Sequence, residues 1–191
     1  RKDMKKVLAY TTVMALGIVT MFLGGRTTPA LTAAVTFLLV HALYKSALFL
    51  VVGIVDHATG TRDLDRLGGL LPRMPFTAAA AFTAALSMAG FPLFLGFVGK
   101  EIMYKGALTE DVFPVFATTA ALLSNAMMTA VAAFLTVDPF IRRAPTPPSG
   151  VSPLHEAPAL MWAGPLALGA TGLVFGIIPA WVGEVLVEPA V

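Results

Sequence analysis

The chain has 191 residues, 57% of them hydrophobic and 13% charged, with a formal net charge of +2 and a mean hydropathy of +0.82. Soluble globular domains carry roughly 25% charged residues, so this composition leaves too little polar surface to cover a water-soluble particle, and the small net charge does not suggest a nucleic-acid partner. Cysteine is absent, which excludes disulfides, thiolate metal sites and iron–sulfur ligation by this chain.

Arg1, Lys2, Lys5 and Lys6 precede the first apolar run, Val7 to Gly24, with no small-residue cleavage site after it. Asp3 stands where it would cap a helix or pair with a lysine. The immediate entry into a helical pattern leads us to expect a segment from inside a larger protein. On residue type alone, Lys5 and Lys6 read as interfacial anchors. A polar turn, Gly25 to Pro29, leads into the second apolar run, about Ala30 to Val55, which contains His41 and Lys45. A polar loop rich in turn and cap residues follows, Asp56 to Arg73.

The third segment, Pro75 to Leu108, is interrupted at Ala89-Gly90-Phe91-Pro92. As one straight helix its 34 residues would run ~51 Å, against a hydrocarbon core of ~30 Å. It is therefore either two short spans or one span broken near its middle. A break frees backbone groups, which are tolerated at membrane depth only where protein or a water-filled cavity receives them. The fourth run is Phe113 to Thr136. A loop with Pro145, Pro147, Pro148 and Gly150 follows, then a fifth run, Ala159 to Gly183, and a short acidic tail.

Charge asymmetry arbitrates the broken segment. With one broken span, Arg1, Lys2, Lys5, Lys6, Arg62, Arg66, Arg73, Arg142 and Arg143 share one side. Arg26, Lys105, Glu110, Asp111, Glu184 and Glu188 share the other. With two spans the asymmetry weakens, so the single broken span is preferred, its basic side cytoplasmic. The expected fold is all-α: a polytopic transmembrane bundle of about five spans, near 6–25, 30–55, 75–108 (broken), 113–136 and 159–183.

Lys45 lies too deep in its span for its stem to reach an interface easily. A charged lysine at mid-bilayer costs ~2.5–3.5 kcal/mol on insertion scales. Either a partner offsets that cost or the lysine gives up its proton, so the functional reading is a proton carrier and the structural one a lysine paired to an acid on a neighbouring helix. His41, four residues earlier, shares the same helix face. Two basic groups there make a poor charge pair but a good relay, since one proton can reside on either. No second metal-ligating side chain lies at suitable spacing in this span. Tyr44 and Ser46 flank Lys45 as hydrogen-bonding neighbours.

Lys100 and Glu101 follow the break. Lys100 reads as lying at depth beside the opened backbone, with Glu101 a candidate charge partner; the alternative makes both ordinary interfacial charges. Ser124, Asn125 and Thr129 inside the fourth run read as interhelical hydrogen-bond glue. Asp56 to Asp63 reads as a helix cap or subunit contact, and so do His155 and Glu156. No P-loop, G-x-G-x-x-G, H-E-x-x-H or G-x-S-x-G pattern occurs, so nucleotide binding and hydrolysis have no visible seat and the chain does not read as an enzyme.

Asp3-Met4-Lys5-Lys6-Val7-Leu8-Ala9-Tyr10-Thr11-Thr12 resembles the D-(hydrophobic)-K-x-(hydrophobic)-L-A-Y-[ST] segment of antiporter-like membrane subunits, the family shared by respiratory complex I and Mrp-type cation/proton antiporters. His41-Ala42-Leu43-Tyr44-Lys45-Ser46-Ala47-Leu48-Phe49 is similar to its H-A-x-[FY]-K-x-A-L-F segment. Leu86 to Pro92 and Gly96 to Glu101 are similar to its L-S-M-A-G-x-P and G-F-x-x-K-[DE] segments. Asp56 to Asp63, Ala9 to Gly17 and His155 to Pro158 resemble the large A-type Mrp subunit more than the complex I subunits.

The resemblance implies a discontinuous helix and a proton-transfer series of Lys5, His41, Lys45 and Lys100, which reverses the bland reading of Lys5. Some relatives carry another histidine four residues before His41, where this chain has Phe37. The resemblance also implies the later part of the second of two inverted repeats, hence part of a pathway. The function it implies is membership of a multisubunit Na⁺/proton antiporter in the plasma membrane, partnered by other subunits, with no cofactor. The alternative is a proton-pumping subunit of an NADH:quinone oxidoreductase or related redox complex.

Overall fold

A computed structural model describes residues 3–25, 27–109, 113–143 and 155–191. Arg1, Lys2, Arg26, Glu110, Asp111 and the segment from Pro145 to Gly150 lie outside the described residues. The helices are α1 (Met4–Gly24), α2 (Thr28–Thr59), α3 (Pro75–Ala89), α4 (Leu95–Leu108), α5 (Pro114–Thr136), α6 (Ala159–Ile177) and the single turn α7 (Pro179–Val182).

Helix starts follow cap chemistry. Asp3 Oδ1 accepts from the Lys6 amide at 3.0 Å, and Thr27 Oγ1 accepts from the Ala30 amide at 3.3 Å. α3, α5 and α7 each open on proline, whose missing N–H costs nothing in a first turn. α2 closes on Gly60 in the left-handed conformation (φ 69°).

α2 runs past Val55 to Thr59, and its 32 residues span ~48 Å. The polar residues Asp56 and His57 lie within the helix and do not end it. The expected fifth span, 159–183, is interrupted: α6 stops at Ile177, and the chain restarts as α7 at Pro179, which has no amide to continue the ladder.

α3 and α4 have 15 and 14 residues, ~22 and ~21 Å each, too short to cross ~30 Å alone. Both pack against α2 and against α5, as two halves of one span do. The loops agree. Arg142 O accepts from the Gly69 amide at 2.7 Å, Pro139 O from Leu70 at 3.1 Å and Phe140 O from Leu71 at 3.1 Å. The end of α5 therefore meets the loop that precedes α3, which requires an even number of crossings between them: α3 and α4 together make one, and α5 makes the other. Arg62 and Asp3 meet at that same end, with Nε–Oδ2 3.9 Å and the Met4 amide donating to Arg62 O at 2.9 Å.

α1, α2, the α3/α4 pair and α5 close into a ring, and α6 lies outside against α2, α3 and α4. Lipid tails are as apolar as leucine, so small residues that allow close approach drive such packing. Ala78, Ala80, Ala81, Ala84 and Ala85 of α3 are all buried. Among the described residues four helices are long and apolar enough to cross a membrane, and the chain is a multi-pass helical membrane protein.

Candidate functional site

The break begins at Gly90 (φ 76°, ψ 41°), whose amide donates to Ser87 O at 3.0 Å while the Phe91 amide donates to Leu86 O at 2.9 Å. This paired arrangement satisfies two end carbonyls of α3 and leaves Ala89 O free. Lys100 Nζ, from the second turn of α4, donates to Ala89 O at 2.6 Å. A cation is favoured there because partial negative charge gathers at a helix C-terminus. The left-handed backbone favours glycine at position 90, and a Cβ there would meet Lys100 Cδ at 2.6 Å and push the lysine stem aside. Leu93 (φ 77°) is a non-glycine residue in the left-handed region within the same connection, a strained conformation of a kind that gathers at functional segments.

Glu101 is not the charge partner of Lys100. It pairs with Lys105 one turn on, Oε1–Nζ 2.9 Å, with both side chains exposed. One residue of helix turns a side chain by about 100°, so the neighbour of an inward lysine faces out.

On α2, His41 and Lys45 are 7% and 5% exposed, placed on one face as their spacing predicts. His41 Nδ1 lies 2.8 Å from Tyr44 Oη, and Tyr44 Oη lies 3.8 Å from Met128 Sδ on α5. His41 Nε2 is buried and finds no partner among the described residues. Lys45 Nζ donates to Thr11 Oγ1 on α1, and Thr11 in turn donates to Leu8 O at 2.9 Å. The Lys45 ammonium also sits 5.7 Å from the Phe49 ring centroid, within cation–π range. Among the described residues no carboxylate pairs with His41, Lys45 or Lys100.

Lys5 stands apart. It is exposed in the first turn of α1, while the buried face of that helix carries Met4, Leu8, Thr11, Ala15 and Phe22. The burial expected of Lys5 from its segment is not supplied by these helices.

Residue type does not single out Thr11, although it is the polar member of the 4, 8, 11, 15 series. Tyr104 is equally silent in the sequence: its hydroxyl accepts from Asn125 Nδ2 at 2.8 Å. The polar cluster at the end of α2 is built from Asp56, whose Oδ2 lies 3.6 Å from Arg62 Nε, together with Asp3 and Asp63. Glu156 is a cap: it accepts from the amides of Phe76 and Thr77 at 2.7 and 3.3 Å and from Thr77 Oγ1 at 2.6 Å.

Residues 1–129 match the model of the NADH:quinone oxidoreductase/Mrp antiporter transmembrane family. The chain belongs to this family. The A/B subunit of a probable K⁺/H⁺ antiporter of Rhizobium meliloti is 39% identical over 94% of the chain and 18% of its own length. The A subunit of the Na⁺/H⁺ antiporter of Alkalihalophilus pseudofirmus is 32% identical over 100% of the chain and 26% of its own length. Among solved structures, a chain of the Mrp complex from Dietzia sp. superposes with TM-score 0.82 at 34% identity, covering 100% of this chain and 20% of that one. A chain of respiratory complex I from Thermus thermophilus superposes with TM-score 0.82 at 25% identity, covering 100% and 39%. The chain thus spans about a fifth to a quarter of the antiporter-family relatives it matches. The family match includes Lys5, His41, Lys45 and Lys100 and ends before α6.

Proposed function

We propose that the chain is the later part of the antiporter-like domain of a large subunit in a multisubunit monovalent cation/proton antiporter of the plasma membrane, and that it carries part of the transmembrane proton pathway. The observation that carries this reading is the pairing pattern of Lys45, which is buried, and Lys100, which is half-buried. A structural lysine at this depth needs an acid beside it, whereas Lys45 has a threonine hydroxyl and Lys100 a backbone carbonyl. Neutral acceptors hold an ammonium without fixing its charge, so the proton is free to leave.

Protons would pass among His41, Lys45 and Lys100. Lys5 joins them if another part of the protein covers its face of α1. The exchanged ion is Na⁺, as in the name of the Alkalihalophilus relative; K⁺, as in that of the Rhizobium relative, is the outcome to test beside it. The redox-complex reading has the complex I superposition in its favour, but identity is 25% there against 34% to the Mrp chain and 39% to the Rhizobium protein.

The experiment is Lys45→Ala in the intact complex, assayed for cation-driven proton movement in everted membrane vesicles. Exchange should be lost while the assembled complex remains in the membrane. Exchange at the unaltered rate would overturn the pathway.

A further inference from the structure

Lys100 and the His41–Tyr44 pair lie on different helices, and the polar groups between them form a series that the proton pathway above does not use. Lys100 and Tyr104 are four residues apart and share one face of α4. Tyr104 Oη receives Asn125 Nδ2 at 2.8 Å. Asn125 and Met128 lie three residues apart on the buried face of α5, and Met128 Sδ is the neighbour of Tyr44 Oη, which bonds His41 Nδ1. The series runs from α4 to α5 to α2 across the inside of the helix ring.

Asn125 is 4% exposed, and its Oδ1 is buried with no partner among the described residues; His41 Nε2 is in the same condition at the other end of the series. Helix glue would account for the Nδ2 bond to Tyr104. It does not account for a buried amide oxygen left open, since such atoms are nearly always satisfied by protein or ordered water. The thioether of Met128, a weak acceptor on a flexible stem, is the single step between Asn125 and Tyr44 that lacks a strong hydrogen-bonding group.

We propose that Asn125 and Tyr104 are positioning residues of the route between Lys100 and His41, holding a water at Asn125 Oδ1 that carries the proton past Met128. This rests on the pathway proposed above. Asn125 orients the water by accepting from it, and Tyr104 fixes the amide by receiving its N–H. Neither side chain gains or loses a proton; each water passes one O–H proton on and receives another.

The test compares Asn125→Leu, Asn125→Ser and Tyr104→Phe with Lys45→Ala in the intact complex, measuring exchange in everted vesicles per assembled complex. Asn125→Leu and Tyr104→Phe should lower exchange by about tenfold or more, a barrier rise of ~1.4 kcal/mol. Asn125→Ser, which keeps a hydroxyl and leaves room for water, should retain most of it. Unaltered exchange in Tyr104→Phe or Asn125→Leu, with exchange lost in Lys45→Ala, overturns the positioning role and leaves the pathway standing. Equal loss in Asn125→Ser and Asn125→Leu also overturns it, in favour of glue. Unaltered exchange in Lys45→Ala removes the pathway and this inference with it. Should Asn125→Leu fail to assemble, Tyr104→Phe, which deletes one oxygen, decides.

Discussion

Lys100 and Ala89 stand on opposite sides of the helix break, and the lysine ammonium closes it by donating to the alanine carbonyl at 2.6 Å. One bond therefore serves two ends: it meets the orphan carbonyl of α3 and holds a cation that has no carboxylate partner among the described residues. Lys100→Met keeps the stem and deletes the donor. Losing this donor at a part-buried carbonyl should cost about 1 kcal/mol, partly offset by Thr129 Oγ1, which donates to Ala89 O at 3.4 Å. A lowered melting temperature of the purified complex together with lost exchange is expected. An unchanged melting temperature would show that the bond contributes nothing to the fold.

Thr11 is the side-chain acceptor for Lys45, and its own proton is committed to Leu8 O. Thr11→Val is nearly isosteric and removes the hydroxyl, both the acceptor for Lys45 and the donor to Leu8 O, whereas Thr11→Ser retains both. Exchange in vesicles should fall in the valine variant and survive in the serine variant, with both present at wild-type levels in the membrane. Equal rates in the two would mean that Lys45 takes its acceptor elsewhere.

Gly96 is a contact glycine rather than a turn glycine. A Cβ there would overlap the Ser87 carbonyl, which is backbone and cannot move aside, while a Cβ on Gly17 or Gly53 would meet nothing within 4 Å. Gly96→Ala should force the two half-helices apart and cost about 1–3 kcal/mol, as overpacking does. Gly17→Ala should be neutral or stabilising by up to about 1 kcal/mol, since alanine is the better helix former. Thermal unfolding of the detergent-solubilised complex separates the two, and a neutral Gly96→Ala would place the halves further apart than described.

The bundle is readable from sequence because its signal is coarse. Long apolar runs, the Gly90-Pro92 interruption and the basic residues that gather at one end each reflect a cost spread over many atoms. The His41–Lys45 pair is readable for a related reason: helical spacing alone puts the two on one face. What eludes reading is who receives each charge. Nothing in Thr11 as a residue type distinguishes it from Thr12, and only the ring of helices turns it toward Lys45. The Ala89 acceptor is a backbone atom and has no sequence signature. Glu101 fails as the partner of Lys100 because adjacency in sequence places side chains about 100° apart on a helix.

Asp3 gives α1 a pH-sensitive end outside the membrane. The Lys6 amide donating to its carboxylate, with Arg62 nearby, holds the Asp3 carboxyl below its ordinary value of 3.8. A depressed carboxylate contributes stability that is fully present above the unfolded value and is lost as the pH falls through the folded one. The first turn of α1 should therefore hold its amide protection at neutral pH and begin to lose it only once the pH falls below the ordinary carboxyl value of 3.8, as the cap protonates. Hydrogen exchange on the peptide covering Met4 to Leu8 reads this out. In Asp3→Ala the same peptide should exchange faster at every pH and show no acid step of its own; an acid step that persists would assign the effect to another group.

Glu156 caps a helix that begins 81 residues before it in sequence, at Pro75. Met74 has no side-chain oxygen to cap α3, and Pro75 has no amide to be capped, so the first donors are Phe76 and Thr77, both met by Glu156. The same carboxylate accepts from Thr77 Oγ1 at 2.6 Å, and Phe76 stacks on Trp162 of α6 with ring centroids 4.5 Å apart. Cap and stack together pin the start of α6 to the start of α3. Removing a capping oxygen costs about 0.5–2 kcal/mol, and a negative charge at a helix N-terminus adds about 0.3–1 kcal/mol. Glu156→Ala should therefore speed hydrogen exchange at Phe76 and Thr77, and Glu156→Gln, which keeps an acceptor but not the charge, should fall between it and the parent. Wild-type protection in Glu156→Ala would show that α3 is capped by another group.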